Sequence, residues 1–96
     1  MTEEPHPSLK LITIDPASPD SLAAVRRVLV ERLGESEIQK LFTHGLIINT
    51  ELEPSDVRDL VARALGDDQE AVVVEFERWS ARGAAVDAAW LMRRGH

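Results

Sequence analysis

The side chains able to do chemistry in this 96-residue chain are carboxylates, hydroxyls and three histidines, because it contains no cysteine. That absence excludes a disulfide framework, thiolate zinc sites and thiol nucleophiles together. Histidine metal sites need two or more imidazoles at helical or hairpin spacing, whereas His6, His44 and His96 are far apart in the sequence. His44, beside Gly45, reads as a loop or hairpin residue. No G-x-S-x-G elbow frames a serine. Gly34, Gly45, Gly66, Gly83 and Gly95 are isolated, so no glycine-rich loop is present to cradle a phosphate.

What remains is acid. Asp15 ends an apolar run and is the candidate catalytic and metal-binding residue, suited to a hard cation such as magnesium if a symmetric partner brings a second Asp15 close. Asp before Pro is also a common turn former, and the turn is the stronger reading. Asp56, Asp59, Asp67, Asp68, Glu75 and Glu77 read as a solvated acidic surface, and Asp67-Asp68 lacks calcium-loop spacing. Arg26, Arg27, Arg32, Arg93 and Arg94 can form a small basic patch, or serve as solvated faces and helix-end charges. Against that patch stands a net charge of −6, which repels a phosphate backbone and disfavours nucleic acid. No apolar run reaches membrane-span length and no leader pattern opens the chain, so the expected setting is cytoplasmic, without a membrane partner.

Elements must position these groups. Residues 1–8, with two prolines and no periodicity, are expected to be a disordered tail, followed by a single α+β domain over 9–96. Leu9 to Asp15 is apolar on both faces, which predicts a central strand. Ser18-Pro19-Asp20 starts a helix carrying Leu22, Val25, Leu29 and Leu33, and Gly34 stops it. Residues 35–44 fit a helical turn or a strand. Leu46 to Thr50 is a strand, and Glu53-Pro54-Ser55 opens a helix with Val57, Leu60, Val61, Ala64 and Leu65 on one face. Ala71 to Phe76 is expected to be a strand buried on both faces for much of its length. A last helix carries Val86, Ala89 and Trp90. Trp79 and Trp90 read as packing anchors in so small a core rather than as stacking platforms for bases. If Glu37–Phe42 is a strand hairpinned to the next one, the order is βαββαβ: a ferredoxin-like sheet with two helices on one face and an extra C-terminal helix. If that piece is helical, a three-stranded α+β sandwich results.

Thr43-His44-Gly45-Leu46-Ile47-Ile48-Asn49-Thr50, then Leu52-Glu53-Pro54-Ser55-Asp56-Val57-Arg58-Asp59-Leu60, then Gly66-Asp67-Asp68-Gln69-Glu70-Ala71-Val72-Val73-Val74-Glu75-Phe76 follow one another in a distinctive order. This segment, continued through Trp79 to Leu91, resembles small bacterial proteins of the SinR family, which have a CRISPR-adaptation-nuclease-like, ferredoxin-like fold. The resemblance is partial and covers mainly residues 43–91. Leu11-Ile12-Thr13-Ile14-Asp15 matches the first strand more loosely. In nuclease relatives of that fold an aspartate ending the first strand binds metal across a dimer, a role the resemblance would pass to Asp15.

Two functions are therefore expected. The first is a non-catalytic interaction or dimerisation module without a cofactor, pairing with itself or another protein through its sheet, with regulation in a bacterial defence or conflict system as its setting. The alternative is a magnesium-dependent ribonuclease or nucleic-acid-binding protein that uses Asp15.

Overall fold

The structure is a computed structural model that describes residues 6–83 and 87–96. Its elements are β1 (Ser8–Asp15), α1 (Pro19–Leu33), a 3₁₀ turn (Glu35–Glu37), β2 (Ile38–Leu41), β3 (Gly45–Thr50), α2 (Pro54–Ala62), β4 (Glu70–Phe76) and α3 (Ala88–Arg93). The four strands form one antiparallel sheet in the order β2-β3-β1-β4. The protein is thus α+β, with three helices and one four-stranded sheet among the described residues. α1 joins β1 to β2, which run parallel with β3 inserted between them, and α2 joins β3 to β4 around β1 in the same way.

Local chemistry sets the helix ends. The Ser21 amide donates to Ser18 Oγ at 3.1 Å and the Ser18 amide donates to Ser21 Oγ at 2.8 Å, a reciprocal pair that satisfies donors the first turn of α1 leaves free. Pro19 occupies the first turn, where its missing N–H costs nothing. At the other end Gly34 takes φ 94°, a conformation that favours glycine, while its amide donates to the Val30 carbonyl at 2.9 Å. α2 starts at Pro54, and beyond Ala62 the chain tightens into i→i−3 bonds that carry it to Leu65. Ala64 and Leu65 therefore still pack against the core, from a turn rather than from the helix.

Both long helices cover one face of the sheet. Leu22, Val25 and Leu29 of α1 and Val57, Leu60 and Val61 of α2 meet Ile12, Ile14, Ile38, Leu46 and Ile48 in one buried cluster. β4 adds Ala71 and Val73 to its margin. Each fully buried aliphatic side chain of this cluster contributes on the order of 1.5–3 kcal/mol to holding the helices on the sheet.

Residues 35–44 resolve as the 3₁₀ turn followed by β2, so the strand alternative holds and pairs Ile38–Leu41 with Gly45–Ile48. β1 is central, as its two apolar faces require. β4 is not: it lies at the sheet edge, with Val72 58% and Val74 48% exposed. A run of three valines satisfies a buried strand and an edge strand equally well, and here the helix-facing Ala71 and Val73 are half-buried while Val72 and Val74 on the other face are exposed. Of the expected tail, residues 1–5 lie outside the described residues, His6 and Pro7 are exposed, and Ser8 already belongs to β1. Val86 of the expected last helix also lies outside them.

Gly45 sits where β3 approaches the backbone of β1 closely. A Cβ there would come within 2.9 Å of the Ile12 carbonyl oxygen across the β1–β3 pair. Gly45→Ala is therefore expected to lower stability by about 1–3 kcal/mol through overpacking against backbone. Chemical denaturation measures this, and a stability equal to wild type would contradict the close β1–β3 approach.

Candidate interaction surface

Asp15 sits at the end of β1 with its side chain exposed, paired in register with Glu70 of β4. His44 shares the same shallow depression, and its Nδ1 lies 2.9 Å from Thr43 Oγ1. The topology thus brings Asp15, Glu70 and His44 to one end of the sheet, although they are far apart in sequence. Among the described residues no three histidine, aspartate or glutamate side chains are grouped so as to hold a metal ion. The expected basic patch is divided: Arg26 pairs with Glu35 at 3.4 Å on the α1 side, while Arg94 is drawn into a polar cluster beneath α3. Asp59 pairs with its neighbour Arg58 at 3.1 Å, and Asp67 and Asp68 are solvent-exposed.

The face of the sheet away from α1 and α2 holds the more informative arrangement. Leu9 and Ile47 on this face are buried beneath Trp90 and Leu91 of α3, with Leu11, Leu41, Phe76 and Trp79 packed around them. Both tryptophans are packing anchors. The Trp90 indole N–H donates to the Ser36 carbonyl at 2.6 Å, and that of Trp79 donates to the His96 carbonyl at 3.1 Å. Each ring thereby buries apolar area while its one polar atom is satisfied.

Around Trp90 a set of polar side chains ties the C-terminal segment to β2 and β3. Arg94 stacks on the Trp90 ring, its guanidinium carbon 4.5 Å from the ring centroid, and donates from Nε to Glu37 Oε2 at 3.1 Å. Asn49 Nδ2 donates to the same Glu37 oxygen at 3.2 Å, and Asn49 Oδ1 lies 3.0 Å from His96 Nε2. Burial pushes the Glu37 carboxyl up, but hydrogen bonds from Arg94 and Asn49, with the guanidinium charge, outweigh it and hold the group below its ordinary value. Arg94 and His96 were visible as charged or titratable residues, but nothing in the sequence joins them to Glu37 and Asn49, because the turn at Glu37 and the end of α3 become neighbours only through the fold.

Lys10 is a second residue that sequence reasoning missed. It shares the helix-covered face with Ile12 and Ile14 and is 1% exposed. Its Nζ donates to the Thr50 carbonyl at 2.8 Å and to Ser8 Oγ at 2.6 Å, and pairs with Glu75 Oε1 at 3.3 Å. All three ammonium protons thus have partners, as a buried charge requires. The Ser8 hydroxyl, donating at 2.6 Å, and the Lys10 ammonium together hold the Glu75 carboxyl below its ordinary value. The alternation Lys10-Leu11-Ile12-Thr13-Ile14 carries the signal, since it places Lys10 in phase with two core isoleucines.

α3 covers only part of its face. Beside it lies an open groove of about 370 Å³, lined by Leu11, Leu41, Phe42, Phe76 and Trp79, with Arg82 at its margin. Phe42 is 68% exposed and holds φ 53°, an outlier for a bulky side chain. Val72 and Val74 share the strand parity of Phe76 and extend the apolar surface to the outer edge of β4. No helix among the described residues is long and apolar enough to cross a membrane. In comparisons with known proteins, no family model matches the chain, and neither a curated protein nor a solved structure matches it.

The Glu37 site has a pH signature. Its native pKa is depressed below the ordinary value of 4.5, so its contribution to stability is complete above that value and is lost as pH falls through the lower native one. Acid is therefore expected to loosen α3, with Trp90 fluorescence reporting the change. Glu37→Gln is expected to cost about 1–2 kcal/mol at neutral pH, since it removes a charge-assisted bond, and to flatten this part of the acid profile. Superimposable acid profiles for the two proteins would contradict the assignment.

Proposed function

We propose that this protein is an interaction module, built on a ferredoxin-like arrangement, that binds a protein partner through the open part of its second sheet face and the adjoining edge of β4. The observation that carries the reading is the exposure of Val72, Val74 and Phe42 on a face where α3 buries Leu9 and Ile47 but leaves an open groove beside them. The βαββαβ order of the first six main elements, each helix joining two parallel strands split by a third, supports the ferredoxin-like description.

The two edges of the sheet differ in a way that selects β4. β2 has four residues, carries the exposed Lys40 and runs directly into its hairpin, which are devices that discourage edge pairing. β4 has seven residues, contains neither lysine nor proline, and presents three consecutive valines. A surface acting through apolar contact and backbone pairing needs no catalytic constellation.

Sedimentation velocity over a wide concentration range tests this. Wild type is expected to shift from monomer to a larger species, or to form a stable complex with a captured partner. The Val72→Lys, Val74→Lys double variant is expected to remain monomeric and uncomplexed while unfolding like wild type. Wild type that stays monomeric at the highest concentration and captures no partner would contradict the proposal.

A further inference from the structure

Resting on that reading, we infer that the partner of β4 is β4 of a second copy, paired antiparallel about a two-fold axis through Val73. The structure leaves the outer side of β4 without a strand neighbour among the described residues. Such an edge presents a row of backbone donors and acceptors roughly 24 Å long, given seven residues at about 3.4 Å each. An identical strand satisfies that row completely only if the pairing is centred on the middle residue, which is Val73. Every residue of β4 then finds a partner in β4 of the other copy.

Charge agrees with that register. In an acidic chain, self-pairing is easily blocked by like charges lying opposite one another. Centring on Val73 sets Glu70 opposite Phe76 and Glu75 opposite Ala71, so no two acids face each other. Glu75 also has its charge balanced within its own subunit by Lys10. Continuing the same register past the strand brings Asp68 of one copy opposite Arg78 of the other. A shift of the centre to Val72 sets Asp67 opposite Glu77 instead, and a centre at Val74 leaves Glu70 and Ala71 outside the strand–strand pairing.

Apolar surface agrees as well. Residues directly opposite in an antiparallel pair point to the same side of the sheet. Val72 of each copy therefore lies against Val74 of the other, and four half-exposed valines become one cluster on the face that α3 leaves open. The two sheets join into one of eight strands, with α1 and α2 of both copies on the same side. The inferred ligand of this surface is a second copy of the chain, recognised by backbone pairing and by a valine patch complementary to itself.

The absence of native cysteine permits a direct test. Val72→Cys and Val74→Cys chains, one carrying a size tag, are prepared separately and mixed, then oxidised mildly. Mixed cross-linked dimer is expected to exceed either self-linked dimer by about tenfold or more, because opposite positions lie within disulfide reach and diagonal positions, roughly 7–8 Å apart, do not. Both positions are half exposed, and thermal unfolding verifies that each variant is folded. Predominant self-linking of Val74→Cys or of Val72→Cys would overturn the Val73-centred register. A dimer in sedimentation that gives no cross-link in any combination would overturn pairing through β4 while leaving the interaction reading intact. A folded protein that remains monomeric and uncross-linked would overturn self-pairing, and capture of a different protein would then leave only the broader reading standing.

Discussion

A central strand that is apolar on both faces obliges the chain to build a layer on each side of it. In β1, Ile12 and Ile14 face α1 and α2, while Leu9 and Leu11 face the other way. The first layer uses two amphipathic helices and buries Ile12, Ile14, Ile38, Leu46 and Ile48. The second has only the six-residue α3 and the segment around Trp79, and it closes over Leu9 and Ile47 and packs against Phe76 but leaves Val72 and Val74 of β4 exposed. The incomplete layer accounts for the groove, the exposed Phe42 and the half-exposed valines alike. Burying apolar area is the main favourable term in folding and in association, so a face left open by one is available to the other.

The polar contacts follow from the same geometry. α3 is too short to hold itself in place by helix propensity. It docks through Trp90, whose ring fills the space beneath β1 and β3 and whose N–H needs the Ser36 carbonyl. Arg94 then bridges Ser36 and Glu37, so the end of the helix is tied to the turn that introduces β2. On the other face Lys10 occupies a site where an aliphatic residue would leave the Thr50 carbonyl without its donor. Both clusters connect segments distant in sequence at the margins of the apolar core, and among the described residues no buried side-chain nitrogen or oxygen lacks a partner.

Much of the fold was legible because local signals and burial agree along most of the chain. Ser18-Pro19, Gly34 and Glu53-Pro54 mark helix ends chemically, and Leu9 to Asp15 announces a central strand by being apolar on both sides. Residues 35–44 were ambiguous because Ile38, Leu41 and Phe42 fit a helical turn while Ile38, Lys40 and Phe42 fit an alternating strand, and pairing with β3 decided the matter. β4 was misread as buried on both faces because sequence reports hydrophobicity, not which layer covers it. The candidate surface was less legible than the fold. Asp15 is where the sequence suggested, at a strand end, but the Glu37–Arg94–Asn49 cluster joins residues up to 57 positions apart and has no local signature. The long edge of β4 emerges only once strand order is known.

Amide hydrogen exchange of the unmodified protein at low and high concentration tests pairing through the β4 edge most directly, because it reads the backbone groups that the edge exposes. The account predicts that alternate amides of β4, those pointing away from β1, gain protection as concentration rises, while the amides of β2 do not change. Protection of β4 that is independent of concentration, or a gain confined to β2, would contradict it.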